Sequence, residues 1–264
     1  MRILSKEIIR LLSRWQFFAA LLLGLCIQAF GVWQYYTSFA HSQMQSTSAN
    51  QAVWLSLLAT QIFFPLQIGL AVGDTVAYDR TTGAIRYLIM RSSRAKYTVY
   101  KLAGSAAIAF CVTFVPIFVG SMLCAVLFPV KYGMPTFDGY TVQTMHFMPS
   151  LFYHHFFDYV LAASLYTSAC GVFLGTLGVL LGSFFRNTYL SVGLPWILYI
   201  GLSIAFIFSE VPILQYWVPL GRASVAIYSP ALGPPWLPPL TWLVLAGITA
   251  VVTLQVMARR DIRD

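Results

Sequence analysis

The residues of this chain with the best credentials for chemistry are few and lie far apart. His146, His154, His155 and Asp158 cluster in sequence, and His154 and Asp158, four apart, would share one helix face as an acid–base or metal-binding pair. Against that use, residues 152–159 are rich in aromatics and begin an apolar run, where amphipathic rings anchor at the level of lipid headgroups. Gln28, Gln34, Thr60 and Gln67 are uncharged polar residues inside apolar runs. They would line a path for a translocated molecule or, alternatively, hydrogen-bond neighbouring helices. The central parts of the apolar runs hold no Asp, Glu, Lys or Arg, which argues against proton coupling through intramembrane carboxylates and leaves sodium coupling open. No GxxxxGK[ST] phosphate loop occurs either, so any driving force from ATP would enter through a partner. Cys26, Cys111, Cys124 and Cys170 all fall in apolar runs and suggest neither disulfides nor a metal cluster.

The elements that must position these residues follow from composition. Of 264 residues, 59% are hydrophobic and 9% charged, which is the composition of a chain dissolved in lipid. A helix needs about 20 apolar residues to cross the hydrocarbon core. Six such spans are expected, near residues 16–38, 52–73, 102–128, 159–182, 188–209 and 239–257, in one all-α transmembrane domain over residues 1–264. Fourteen of the sixteen Lys and Arg fall at one end of this plan and only Lys131 and Arg222 at the other. By the positive-inside rule both termini are cytoplasmic, and the net charge of +8 needs no nucleic-acid partner to explain it. The first apolar run is too long for the core of a cleaved signal peptide.

Two segments outside the spans have a definite pattern. Leu4, Ile8, Leu11, Leu12 and Trp15 recur at helical spacing while Arg2, Lys6, Arg10 and Arg14 take another face, which predicts an amphipathic helix lying along the interface in contact with membrane lipid. Residues 210–237 are apolar but interrupted by prolines, so short interfacial or re-entrant helices on the outer face fit better than a seventh span. Within span four, Ser164, Ser168, Gly171, Gly175, Gly178 and Gly182 form a stripe of small residues. Such a stripe lets two helices approach closely, inside one subunit or at a subunit interface.

Between spans two and three, residues 74–104 read DTVAYDRTTGAIRYLIMRSSRAKYTVYKLAG. Ile85, Leu88 and Ile89 share one helical face with Arg86 and Arg91 elsewhere, predicting a short amphipathic helix that fits a partner's groove; otherwise this is a basic loop that merely obeys the topology rule. At these residues the chain resembles the type-2 permeases of ATP-binding-cassette (ABC) transporters. In that family an acidic residue, a glycine, an apolar helix, a Pro-x-Ser-Arg-like step and a lysine opening the third span follow in order. Asp79, Gly83, Leu88, Ser93, Arg94 and Lys101 match that order, with Ser92 or Ser93 where proline is usual and a helix one residue short.

The resemblance implies that Asp79, Gly83, Ile85, Arg86, Leu88, Ile89 and Arg94 dock a cytoplasmic ATPase subunit through a coupling helix. It further implies a second permease subunit, as homodimer or heterodimer, and export across the cell membrane. ATP and Mg would be bound by the partner, with no cofactor and no enzymatic activity in this chain. The residues by themselves leave two alternatives, a sodium-coupled transporter or channel without an ATPase, and a membrane-embedded enzyme using the outer histidines.

Overall fold

A computed structural model describes residues 2–40, 48–91, 93–130, 132, 136–137, 140–141, 148–185, 187–208, 234 and 236–259. Lys131, His146, Arg186, Arg222, Arg260, Arg263 and the segment 210–233 lie outside the described residues. The fold is helical, with six helices long and apolar enough to cross a membrane.

Helix α1 (Arg2–Leu12) is amphipathic and is followed at once by α2 (Trp15–Ala40). The second membrane-length stretch is composite. Helix α3 (Ala49–Ile68) is capped by Ser48, whose side chain accepts from the backbone N–H of Gln51. It contains Pro65 and passes into a five-residue π-helical turn, Gly69–Gly73, before α4 (Thr75–Thr81). Proline and π turns are the usual causes of a bend in a long helix, and here they coincide. Gly83, at φ +71°, turns the chain into α5 (Ala84–Arg91). A Cβ there would meet nothing within 4 Å, so the left-handed backbone is what calls for glycine.

Helix α6 (Arg94–Leu127) starts two turns before the expected third span, because the Ser93 hydroxyl accepts from Lys96 N at 3.3 Å and caps it there. At 1.5 Å per residue α6 runs about 50 Å, well beyond a hydrocarbon core of about 30 Å, so its first turns stand outside the apolar layer. A two-residue hairpin, β1 (Thr136–Phe137) with β2 (Tyr140–Thr141), lies beyond its far end. Then come α7 (Pro149–His154), α8 (Phe156–Phe184), α9 (Thr188–Ile207, capped by Asn187) and α10 (Leu237–Arg259).

Helices α6 and α8 form the middle of the bundle, with α2 and α3 packed together on one side and α10 against α8 on the other. One apolar cluster gathers Tyr35, Leu57, Ile117, Phe152 and Tyr159. A second gathers Phe64, Ala109, Val112, Leu174 and Tyr199. Large apolar side chains such as Phe18, Leu22 and Trp33 on α2 and Leu243, Val244 and Val251 on α10 stand exposed, as they must on helices whose solvent is lipid.

Candidate functional site

At the basic end of the bundle, where α1, α4, α5 and the start of α6 meet, four ionised side chains close into a ring of alternating charge. Arg10 on α1 lies 2.9 Å from Glu7, one turn back, and 3.0 Å from Asp79 on α4. Lys101 on α6 lies 2.6 Å from Asp79 and 2.9 Å from Glu7. Asp79 is 0% exposed and Lys101 2%, so neither has water to stabilise its charge and each depends on its partners. Two further donors complete the shell. Tyr97 donates its hydroxyl to Asp79 at 2.9 Å, and Lys101 Nζ donates to the Thr75 carbonyl at 3.3 Å. Burial tends to pull the Arg10 guanidinium down, but the carboxylates of Asp79 and Glu7 outweigh it and hold the pKa above its ordinary value.

A second pair lies beside the ring. Arg14 makes a two-pronged contact with Asp74, donating at 3.0 and 2.6 Å, while Gln16 donates to the same carboxylate at 3.2 Å. The Arg14 guanidinium also lies over the Tyr78 ring, 5.1 Å from its centroid. Arg80 donates to the Ser183 carbonyl at 2.7 Å and so ties α4 to the end of α8.

These contacts place the residues of the expected docking set. Asp79 sits inside the ring and presents no surface to a partner. The apolar face of α5 also turns inward: Ile85 is buried with Tyr97 and Met257, and Leu88 and Ile89 pack against the same group. Among the described side chains of α5, Arg86, Tyr87 and Met90 are exposed, with Arg94 exposed at the start of α6. The periodicity of α5 carries information about one apolar face, and that face is used by the chain itself. Gly83 serves as the turn that aims the helix.

The uncharged polar residues pair between helices. Gln28 Nε2 donates to Thr60 Oγ1 at 2.6 Å, and Thr60 gives its single proton to the Ser56 carbonyl at 2.8 Å. That chain of donors fixes the amide orientation, leaving Gln28 Oε1 buried with no hydrogen-bond partner. Gln67 Nε2 donates to the Val112 carbonyl of α6 at 2.7 Å. Gln34 is exposed on α2 and joins none of these contacts. Gln28, Thr60 and Gln67 therefore join α2, α3 and α6 to one another.

The stripe on α8 packs within the chain. A Cβ on Gly175 would lie 2.6 Å from Ala109 Cβ of α6, one on Gly171 2.6 Å from Thr113 Oγ1, and one on Gly178 3.2 Å from Gly73 Cα of the π turn. Gly182 faces Val76 and Ala77, while Ser164 and Ser168 are wholly buried and donate to the carbonyls one turn back.

The histidine reading meets a break. Helix α7 stops at His154, and His155, at φ −134° and ψ 69°, separates it from α8, so His154 and Asp158 share no helix. His155 stands nearest to Asp158, at 3.8 Å with both side chains about two-thirds exposed. No group of three metal-ligating side chains occurs among the described residues.

A cavity of about 360 Å³ lies between α8, α9 and α10, lined by Phe173, Leu177, Tyr199, Leu202, Trp242 and Leu245 among others. Its wall is apolar, so it suits an apolar group; the expected polar path does not run through it. No family model matches the chain, and no curated protein matches it.

Proposed function

We propose that this chain is the membrane-spanning permease subunit of an ATP-driven exporter of the type-2 ABC class, working with a separate ATPase. In this reading the basic end faces the cytoplasm of a cell whose membrane the six apolar helices cross. A second permease subunit completes the pathway, and the partner binds ATP and Mg. The observation that carries the proposal is the loop at the basic end, where the short helix α5 projects from a charge-clamped base formed by the ends of the second and third membrane-length stretches. A helix held in that way can pass a push from a partner into two spans at once. The partner would contact Arg86, Tyr87 and Met90, the exposed side of α5, since Ile85, Leu88 and Ile89 are occupied.

The test is isolation of the protein from its native membrane with an assay for ATP hydrolysis. An ATP-binding subunit is expected to co-purify, and its recovery is expected to fall at least tenfold in the double variant Tyr87→Ala, Met90→Ala. If no ATP-binding subunit accompanies the wild type, and substrate moves in proteoliposomes on a sodium gradient alone, the chain is a sodium-coupled transporter and the proposal fails.

A further inference from the structure

We infer that α1, α4 and the first turns of α6 move as one rigid body, locked by the Glu7–Arg10–Asp79–Lys101 ring, so that the N-terminal helix is part of the transmission element. The inference deepens the ATPase reading, on which its functional arm rests, and its structural arm stands without it.

The ring has two cations and two carboxylates, each touching two of opposite sign within 3.0 Å, so every charge keeps both of its partners only while the ring is closed. Drawing α1 away from α4 and α6 would separate Arg10 from Asp79 and Glu7 from Lys101 together. Asp79 and Lys101 would then be short of partners at sites that water barely reaches. The neighbouring Arg14–Asp74 fork repeats the restraint four residues farther on, where the chain enters α2. Below the ring the same helices are in close contact, with a Cβ at Gly104 of α6 falling 3.3 Å from Glu7 Cγ and 3.4 Å from Leu11 Cδ1.

Elsewhere the joints are of another kind. Helices α9 and α10 meet this end through apolar contacts, such as Met257 against Ile85 and Tyr97, and α9 backs onto the π turn through Gly73, whose Cβ would lie 2.8 Å from the Ser191 carbonyl. Apolar contacts have no fixed partner and allow sliding; a closed ring of buried charges has one arrangement. Glu7, Arg10 and Lys101 are positioning residues in this account, acting on α5 through α4 and α6.

Two measurements test the inference. In the full chain reconstituted in lipid nanodiscs, amide hydrogen exchange along α1 is expected to rise at least tenfold in Asp79→Asn while α8 is unchanged. Glu7→Gln, at the most peripheral carboxylate of the ring, provides the same readout if Asp79→Asn fails to fold. Exchange within twofold of wild type in Glu7→Gln would overturn the ring as the lock. The second measurement joins α1 to α6 by a disulfide between Leu11→Cys and Gly104→Cys in a version without the native cysteines. Shortening residue 11 removes one of the two atoms nearest the new side chain at 104, and the other, Glu7 Cγ at 3.3 Å, belongs to a flexible side chain. In the complex with its ATPase, the oxidised form is expected to keep substrate-stimulated ATP turnover within twofold of the reduced form. Loss of turnover on oxidation alone would mean that α1 moves against α6, and the inference would fall. If no ATPase is found, the exchange arm still decides whether the ring holds the three helices together, and only the proposed function is lost.

Discussion

The two ends of the same helices are joined by opposite means. At the basic end α1, α4 and α6 meet through ionised side chains in directional contacts of 2.6 to 3.0 Å. A few turns farther in, α2, α3, α6 and α8 meet through glycine, serine, threonine and glutamine, with backbones close and every partner neutral. Charge at membrane depth is costly and mutual attraction rarely offsets it, whereas near the interface long side chains and nearby water lower the cost. The difference teaches where this bundle is specific and where it is only well fitted. The charged end has one register; the neutral middle has a shape.

The largest expected effect breaks the charged side of that comparison. Asp79→Ala strands Arg10 and Lys101 together and should lower stability by about 3 to 5 kcal/mol, the usual consequence of removing one member of a buried ion pair. Detergent unfolding followed by circular dichroism measures it, and a loss below about 1 kcal/mol would show that water reaches the ring freely. The next effect tests the fitted middle. Gly175→Leu forces side-chain atoms into Ala109 and the Ser105 carbonyl and should cost about 1 to 3 kcal/mol through overpacking. Gly247→Leu is the control, because a Cβ there meets nothing within 4 Å and the change should stay within about 0.5 kcal/mol. Equal effects at the two positions would mean that the α8 stripe is not a close contact. A smaller effect follows at Thr60→Val, which removes the hydroxyl linking Gln28 to Ser56 and should cost about 0.6 kcal/mol, with about 1.7 as the upper end for hydrogen bonds between membrane helices.

The same contrast explains what could be read from the sequence. The six apolar runs were legible because length and hydropathy alone report them, and the long α6 differs from expectation only where Ser93 begins the helix early. The small-residue stripe was legible as a contact but its partner was not, since spacing along α8 says nothing of Ala109 or Gly73. The charge ring was not foreseen. Its members lie as far apart in sequence as Glu7 and Lys101, and the basic residues at this end were accounted for wholly by topology. One signal could have found it: Glu7, Asp74 and Asp79 are the only carboxylates before residue 138, and acidic residues so scarce beside so many cations at span ends are candidates for pairing. The facing of α5 was illegible for a physical reason. A helical period identifies an apolar face without saying whether the surface that covers it belongs to the same chain.

The smallest expected change in stability is that of Tyr87→Ala on α5, and its comparison with Leu88→Asp separates the chain's own packing from the proposed contact with a partner. Leu88 is partly buried against the group of Ile85, Tyr97 and Met257, so Leu88→Asp should weaken the attachment of α5 by part of the burial of a leucine, about 1 to 2 kcal/mol. Tyr87 is 70% exposed and packs on little, so Tyr87→Ala should leave unfolding unchanged within about 0.5 kcal/mol. A docking face reverses that order for association. A large aromatic ring at the centre of an interface is the kind of side chain that dominates binding, and the loss of Tyr87 should reduce recovery of the ATPase at least tenfold, about 1.4 kcal/mol. The two variants thus predict a crossed pattern. Leu88→Asp is less stable and loses the partner as a consequence of a displaced helix, and Tyr87→Ala is as stable as wild type and loses the partner directly. If Tyr87→Ala binds and turns over ATP like wild type, α5 packs on its own chain and meets no partner through this face, and the place where a driving force enters must be sought elsewhere at the basic end.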